Sequence, residues 1–425
     1  MSSEFNDFLT SGVPRLKIKP PLAPLYGEGN HKMIITILIF ILILGLLVFV
    51  HELGHFVTAK KSGVRVEEFG FGLPPRAIGI QIIKEDGKRK WKFISRGYDL
   101  SKDGVAPTVY SLNWIPLGGF VKIKGEEGGA VGDSDSFSNK PIWKRAVILS
   151  AGVTMNFILA AALLAFGFGI GLPQVLSDAD LSRAAVRDRN TQIVRVLDGT
   201  SAAKAGVLAG DIILNVDGQE IVSENFLRSY IESRAGQEIV LKIKRDNNTQ
   251  DISATPATLK ETGKPGLGIS FVEIGIVSYP WYLAAWKGLE AAVFYAREIV
   301  VAFYHLLKNL IVHQSVSMDL SGPVGIAVMT GRVARLGFIY LLQFAAMLSI
   351  NLAIINILPF PALDGGRLLF LLIERLRGRA VNQKIEQWAH TLGFALLMLL
   401  IVAVTYRDIS KFSYKFVELW QRIIN

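Results

Sequence analysis

The chain has 425 residues, of which 51% are hydrophobic, and its mean hydropathy is +0.38. That composition is too apolar for an ordinary water-soluble protein and predicts several membrane-spanning segments. The sequence contains no cysteine, which excludes a disulfide framework and leaves histidine, carboxylate and water as metal ligands. The net charge of +10 suits basic loops that face an anionic lipid bilayer, whereas no compact basic domain indicates binding of nucleic acid.

The first segment, residues 1–32, is polar and contains prolines without a periodic apolar pattern, which predicts a disordered leader. Met33 is a candidate for the original start, and this leaves open whether residues 1–32 are native. The segment contains no cleavable signal with an A-x-A-like site, so the first span is expected to remain in the mature protein.

Residues 33–59 combine a membrane span with a metal-binding motif. A run of seventeen uncharged, mostly apolar residues is close to the minimum length for crossing a bilayer as a helix. The motif HELGH follows directly, and its His51 and His55 share one helix face, so both imidazoles can bind one metal ion. Glu52 can take the proton from an attacking water. The alternative, a polar cluster that snorkels to the interface, is less favoured because ionisable groups at membrane depth are costly and usually functional.

Residues 60–145 contain short strand-like runs broken by glycine, proline and charge, which predicts a small β-rich loop. The loop carries sixteen lysines and arginines, an excess that predicts the cytoplasmic side of the membrane. Residues 114–120 are unusually apolar for a loop. They form either a strand in a small core or a hairpin that dips toward the membrane beside the metal.

Residues 146–172 form the predicted second span. The small residues Ser150, Ala151 and Gly152 permit close approach of another helix. Asn156 lies among apolar residues, where it either forms a hydrogen bond between helices or belongs to the site.

Residues 185–275 have the composition of a soluble domain. The pattern A-G-x-x-x-G-D-x-I-x-x-V-(D/N)-G, at Ala205–Gly218, resembles a PDZ domain of the bacterial protease type. The alternative is another small β-sandwich. In PDZ domains a glycine-rich segment lines the groove where an extended peptide adds a strand, so the resemblance implies a peptide or substrate segment as a partner. The matching groove residues are Gly266, Leu267, Gly268 and Ile269.

Residues 280–312 are aromatic and helical in period, but charged residues interrupt them. They predict an amphipathic helix lying on the membrane surface. A short fourth span is predicted at 391–405, followed by an amphipathic tail at 406–425.

The third span, predicted at 338–366, ends in the motif NILPFPALDGG, whose prolines and paired glycines break the helix and present Asp364. Two histidines and one carboxylate leave an open coordination position, as in catalytic zinc sites. If span one ends at the histidines on the cytoplasmic side, span two returns outward and span three brings Asp364 back to them. The metal site therefore requires four spans, with residues 280–312 not crossing the roughly 30 Å hydrocarbon core.

The two motifs together resemble the site-2 protease family of intramembrane zinc metalloproteases, and the order of elements is similar to its bacterial regulator-of-sigma-E (RseP-like) branch. The resemblance covers about residues 33–405 and departs from that branch in having one PDZ domain in place of two. It implies a polytopic α-helical membrane protein with four transmembrane helices, a membrane-associated β-rich loop and an inserted extracytoplasmic PDZ domain, in a bacterial cytoplasmic membrane. The implied roles are zinc ligands for His51, His55 and Asp364, acid/base catalysis for Glu52, and substrate binding for Asn356, Gly118, Gly119 and Phe120.

This resemblance implies hydrolysis of a peptide bond in or near the transmembrane segment of single-span membrane proteins, with Zn²⁺ as cofactor. Anti-sigma factor-like proteins and signal-peptide remnants are the implied substrates, cut after a first protease has trimmed them. Two other classes are open: a catalytically silent PDZ scaffold, which the complete ligand set with Glu52 disfavours, and a zinc transporter. A transporter requires polar residues along several spans, and the interiors of the first and fourth spans are nearly wholly apolar.

Overall fold

The computed structural model describes residues 30–85, 88–94, 107–126, 132–176, 182–221, 223–245, 248–259, 263–312 and 322–424. Nearly all of the expected leader, 1–32, lies outside these ranges. In chain order the elements are α1 (Asn30–Lys61), β1 (Val66–Glu85), β2 (Lys88–Ile94), β3 (Val109–Ile123), α2 (Ile142–Ile170), β4 (Leu172–Val175), β5 (Ala185–Val196), α3 (Ser201–Lys204), β6 (Ile212–Val216), β7 (Gln219–Glu220), α4 (Glu224–Ser233), β8 (Ile239–Arg245), β9 (Asn248–Ala254), β10 (Ala257–Thr258), β11 (Pro265–Gly266), β12 (Ile269–Ser278), α5 (Trp281–Val312), α6 (Pro323–Leu336), α7 (Phe338–Ile357), α8 (Asp364–Arg377) and α9 (Gln383–Ile424).

The chain divides into two units. We call 27–164 with 288–425 the membrane unit, and the described residues among 165–287 the insert.

Four helices are long and apolar enough to cross a bilayer, at Ile34–Lys61, Ile142–Ile170, Phe338–Ile357 and Gln383–Ser410. Each such helix satisfies its backbone hydrogen bonds internally, which hydrocarbon surroundings require. The protein is therefore a helical membrane protein. Helix α5 is not among the four.

The helix boundaries differ from the sequence expectation in three places. Helix α7 ends at Ile357, and Asp364 begins a separate helix rather than ending a span at 366, because Pro359 and Pro361 cannot donate the hydrogen bonds of a continuous helix. Helix α9 runs unbroken from the predicted fourth span through the predicted tail. Helix α6 was not predicted; it begins with proline at a first-turn position, which proline tolerates.

The membrane unit contains a small sheet in the order β2-β1-β3. Gly70 pairs with both Phe120 and Ser111, so the first half of β1 lies between the two halves of β3. Gly79 pairs with Ser111 and with Ile94 of β2. The second half of β3 is therefore an outer strand of the sheet among the described residues, which agrees with the expected β-rich loop.

In the insert, a seven-stranded sheet has the order β4-β12-β5-β6-β8-β9, with β7 paired to β6. Every strand pairing in it is antiparallel. Its core is aliphatic and includes Ile193, Leu227, Leu241, Ile243 and Leu267, all essentially inaccessible to solvent. Alternating buried and exposed residues along β8 show that one face of the sheet packs on this core.

Candidate metal centre

The two motifs identified in the sequence meet at one point in the membrane unit. The Nε2 atom of His51 lies 3.0 Å from Oδ2 of Asp364 and 3.2 Å from Nε2 of His55, and His55 Nε2 lies 3.3 Å from the same carboxylate oxygen. Both histidines are buried, and Asp364 is partly buried. One ligand atom from each residue therefore faces a common centre.

This donor set fits zinc. Zn²⁺ bonds of 2.0–2.1 Å in a tetrahedron place neighbouring ligand atoms about 3.3 Å apart, and imidazole and carboxylate are its common ligands in a chain without cysteine. The observed separations of 3.0–3.3 Å are close to that value. Three protein ligands leave the fourth position for water or substrate, as in catalytic rather than structural sites.

Glycines allow helix α2 to approach the histidines. A Cβ atom on Gly54 would overlap the backbone carbonyl of Ala151, so α1 and α2 touch at this point. A Cβ on Gly152 would overlap His55 Nε2 and lie 2.6 Å from both Cε1 and Nε2 of His51. Gly152, expected from the sequence to bring helices together, therefore lies directly against both histidine side chains.

Helix α2 also supplies hydrogen-bond partners to the imidazoles. His55 Nδ1 lies 2.8 Å from the carbonyl oxygen of Ile148, and a carbonyl only accepts, so Nδ1 carries the proton and Nε2 presents its lone pair to the centre. His51 Nδ1 lies 3.3 Å from the side-chain amide of the fully buried Asn156. Such outer partners fix the orientation and tautomer of ligand histidines.

Asp364 is presented by a tight loop between α7 and α8. A Cβ on Gly365 would overlap the carbonyl oxygens of Ile357 and Leu358, and one on Gly366 would overlap that of Phe360. The glycine pair therefore lets the start of α8 sit against the end of α7. The carboxylate occupies the first turn of α8, where the helix dipole favours negative charge.

Helix α9 supports this loop from another side. Ala362 has a φ of +80°, a conformation that non-glycine residues rarely adopt. Its N–H donates to Nδ1 of His390 over 2.9 Å. A Cβ on Gly393 would overlap the carbonyl oxygen of Pro361. Sequence reasoning missed His390, because a lone histidine in a helix carries no spacing signal that links it to the Asp364 loop.

Two ion pairs hold α8 in place. Arg145, at the start of α2, donates to both carboxylate oxygens of Glu374 over 2.5 and 3.1 Å. Arg367 pairs with Glu126, which follows β3. The Arg145–Glu374 pair is bidentate and therefore geometrically specific. Together the two ion pairs tie α8 both to α2 and to the β-rich loop.

A cavity of about 220 Å³ adjoins the centre. Glu52 and Asn356 line it together with His51, Asp364 and Val48. The two residues expected to act on water and on the substrate backbone are therefore brought to the same space as two of the three candidate ligands.

The predicted loop residues pack against α1 just before the histidines. A Cβ on Gly118, which has a φ of +80°, would lie 2.7 Å from a Val48 side-chain atom, and one on Gly119 would lie 3.4 Å from Cα of Phe49. Phe120 pairs with Gly70 in the outer part of the sheet. Glycine is thus required where this segment turns and contacts α1.

The expected groove residues lie together in the insert but differ in burial and in whether their backbone groups are already hydrogen-bonded. Leu267 is 1% exposed and belongs to the core, and its carbonyl oxygen accepts the N–H of Ala202. Gly268, with a φ of +79°, has its carbonyl oxygen bonded to the N–H of Leu197. Among the described residues, β12 pairs with β4 only at Ile274–Val277. Among those residues, the edge of β12 at 269–272 therefore lacks a strand partner on that side.

A cluster of two histidines and one carboxylate beside a cavity, carried on an apolar membrane helix, is typical of a membrane metallopeptidase site. The model of Peptidase family M50 matches residues 39–97 and 87–400. The chain belongs to this family, the site-2 protease family of zinc metalloproteases, as the motifs at 51–55 and 356–366 predict.

Bacterial relatives extend over nearly the whole chain. The regulator of sigma-W protease RasP of Bacillus subtilis is 31% identical, over 88% of this chain and 98% of the relative. The zinc metalloprotease RasP of Bacillus licheniformis is 30% identical, over 88% of this chain and 99% of the relative. These likenesses confirm the prediction of a zinc metalloprotease and disfavour the silent scaffold and the transporter.

A solved PDZ domain of an SdrC-like protein from Listeria innocua is 31% identical to 19% of this chain, over 92% of its own length, with a TM-score of 0.18. Assignment of the insert to the PDZ class rests instead on the residue pattern at 205–218 and on the glycine-rich segment at 266–269.

Proposed function

We propose that this protein is an intramembrane protease that hydrolyses a peptide bond within or near the transmembrane segment of single-span membrane proteins. The convergence of His51, His55 and Asp364 beside a cavity lined by Glu52 and Asn356 carries the proposal. Its test is cleavage of a single-span substrate in liposomes by the wild type and by a Glu52 variant, with metal content measured in both.

His51, His55 and Asp364 are proposed as the zinc ligands. Zn²⁺ held by them would polarise the scissile carbonyl and make water acidic enough to react near neutral pH. Glu52 accepts a proton from the water whose oxygen attacks the carbonyl carbon. The C–N bond then breaks, and Glu52 returns the proton to the leaving amine nitrogen.

A helical substrate hides its backbone in internal hydrogen bonds, so it must unwind before cleavage. We place the opened segment along the outer strand at Gly119–Ile123, where it can add as a further strand. Asn356, from its position in the cavity wall, supplies donor and acceptor groups that replace lost helix bonds. Gly118, Gly119 and Phe120 position this strand against α1.

We propose that the metal centre faces the cytoplasmic side of a bacterial membrane and the insert the opposite side. The sixteen basic residues among 60–145 support this orientation. The order of the four spans supports it too, because the second span leads outward to the insert and the third returns to the side of the histidines. Helix α5, whose charges interrupt its apolar residues, is assigned to the membrane surface.

The sidedness is measurable because the chain contains no cysteine. We expect a membrane-impermeant maleimide to label Ser233→Cys, at an exposed position of α4, in intact spheroplasts. Lys92→Cys, on exposed β2, should react only after permeabilisation. The reverse labelling pattern would contradict the proposed orientation.

The PDZ-like insert is proposed to make this protease act second, after another enzyme has trimmed the external part of the substrate. Anti-sigma factor-like proteins and signal-peptide remnants are the expected substrates. The edge of β12 at 269–272 has no strand partner on the β4 side among the described residues, and β12 packs beside α4; we assign this edge as the groove where an external segment adds. In this role the insert retains untrimmed substrates outside the site.

A substitution that blocks the groove distinguishes two roles of the insert. In one role the groove excludes untrimmed substrates, and in the other it binds the new C-termini of trimmed substrates. We expect Gly266→Leu to raise cleavage of an untrimmed substrate several-fold and to leave a trimmed substrate unchanged. Gly266 suits the test because a Cβ there meets only the flexible end of Leu259 at 2.8 Å, whereas one on Gly268 would overlap Thr200. The comparison is cleavage of both substrates by Gly266→Leu and by the control Gln250→Leu on exposed β9. Reduced cleavage of the trimmed substrate by Gly266→Leu alone would instead indicate that the groove captures new C-termini.

A further inference from the structure

The side chain of Asn156 is completely buried and touches a proposed metal ligand from outside. Its amide nitrogen Nδ2 lies 3.3 Å from Nδ1 of His51, and its carbonyl oxygen Oδ1 has no hydrogen-bond partner among the described residues. Ser349, on α7, donates to the backbone carbonyl of Asn156 over 2.8 Å, which fixes the backbone of α2 at this point. The amide is thus held beside His51 with an unused acceptor.

The tautomer of His51 determines whether it can bind a metal. Its Nε2 atom faces the centre, so metal binding requires a lone pair there and therefore a proton on Nδ1. That proton needs an acceptor, because an unpaired donor in a buried, low-dielectric site is destabilising. His55 has the carbonyl of Ile148 for this purpose, whereas Asn156 is the neighbour of His51 Nδ1.

The amide of Asn156 can present either end to His51, since its oxygen and nitrogen are nearly isosteric. With Nδ2 facing the imidazole, Nδ1 must accept, and the proton lies on Nε2, where it bonds to Asp364 Oδ2 over 3.0 Å. With Oδ1 facing the imidazole, Nδ1 donates and Nε2 is free to bind metal. Only the second arrangement leaves the Nε2 lone pair of His51 available to a metal ion.

From this geometry we infer that Asn156 is a positioning residue that fixes the metal-binding tautomer of His51 by turning its carbonyl oxygen toward Nδ1. This inference rests on the proposed zinc site and extends it to helix α2. Outer partners of ligand histidines typically contribute about 10–100-fold to metal affinity. Asn156 is thus the side-chain counterpart of the Ile148 carbonyl, and α2 orients both histidines.

The test measures zinc affinity of the full-length protein in detergent by competition with a chromophoric chelator. We expect Asn156→Leu, which keeps the approximate volume but removes the acceptor, to weaken zinc binding about 10–100-fold. Asn156→Asp keeps an acceptor oxygen and should restore affinity to within a few-fold of the wild type. Asn351→Leu is the matched control, because Asn351 donates within its own helix to Met347.

Equal zinc affinity in wild type and Asn156→Leu would overturn the inference. So would equally weak binding by Asn156→Leu and a folded Asn156→Asp, since that pattern indicates a need for the amide's shape. If Asn156→Leu does not fold, the Asp variant decides: retained affinity supports the acceptor role and lost affinity refutes it. Absence of zinc binding in the wild type is a separate result that refutes the proposed metal site.

Discussion

Glu52→Gln is expected to abolish measurable proteolysis while zinc stays bound at one ion per chain. The amide is nearly isosteric with the carboxylate but cannot accept the proton of the attacking water. A positioned general base contributes about 10²–10⁴-fold to a reaction rate. Glu52 lines the cavity with His51 and Asp364 but is not part of the three-ligand cluster, so its replacement leaves the ligand set intact.

The measurement pairs single-turnover cleavage of a trimmed single-span substrate with metal analysis of the same preparation. Asp364→Asn serves as the contrasting variant, since it changes a proposed ligand and is expected to lose zinc as well as activity. Loss of zinc in Glu52→Gln would show that Glu52 acts in binding the ion. Full activity in Glu52→Gln would refute its role as the base.

The clustering of the three proposed ligands was predictable from sequence because each motif carries its own geometry. In HELGH, the four-residue spacing places both histidines on one helix face before any tertiary contact is known. The position of Asp364 was predictable because the prolines and glycines around it break the helix and indicate a tight turn after a membrane span. The paired glycines Gly365 and Gly366 then prove to be the contact points between that turn and α7.

The supporting residues were not predictable to the same degree, because their role depends on how helices rotate against each other. Ser150, Ala151 and Gly152 are consecutive, so successive side chains point about 100° apart around α2. All three side chains are small enough to permit close helix packing, and the sequence does not indicate which of them contacts α1. His390 is the harder case, since its bond to Ala362 joins two elements whose sequences share no pattern.

Gly152→Ala is expected to have the second-largest effect, through a single added methyl group. The new Cβ would overlap Nε2 of His55 and lie 2.6 Å from Nε2 of His51, so both imidazoles must move away from the centre. Overpacking of a close-packed site costs about 1–3 kcal/mol, whereas replacing a helical glycine by alanine stabilises the helix by about 1 kcal/mol. The net loss of global stability is therefore about 0–2 kcal/mol, and the larger effect falls on the positions of the proposed ligands.

Displacement of catalytic groups by about 1 Å can lower a rate about 10²-fold, and we expect a loss of at least that size together with weakened zinc binding in Gly152→Ala. The matched control is Gly169→Ala on the same helix, where a Cβ meets nothing within 4 Å. This control should retain wild-type zinc and activity and have equal or higher thermal stability. A Gly152→Ala protein with normal zinc affinity and normal cleavage would show that α2 does not press on the imidazoles. The supporting result is loss of both zinc and cleavage in Gly152→Ala alone, with thermal unfolding near that of the control. That result would show that the close approach of α2 at this glycine holds the proposed ligands in position.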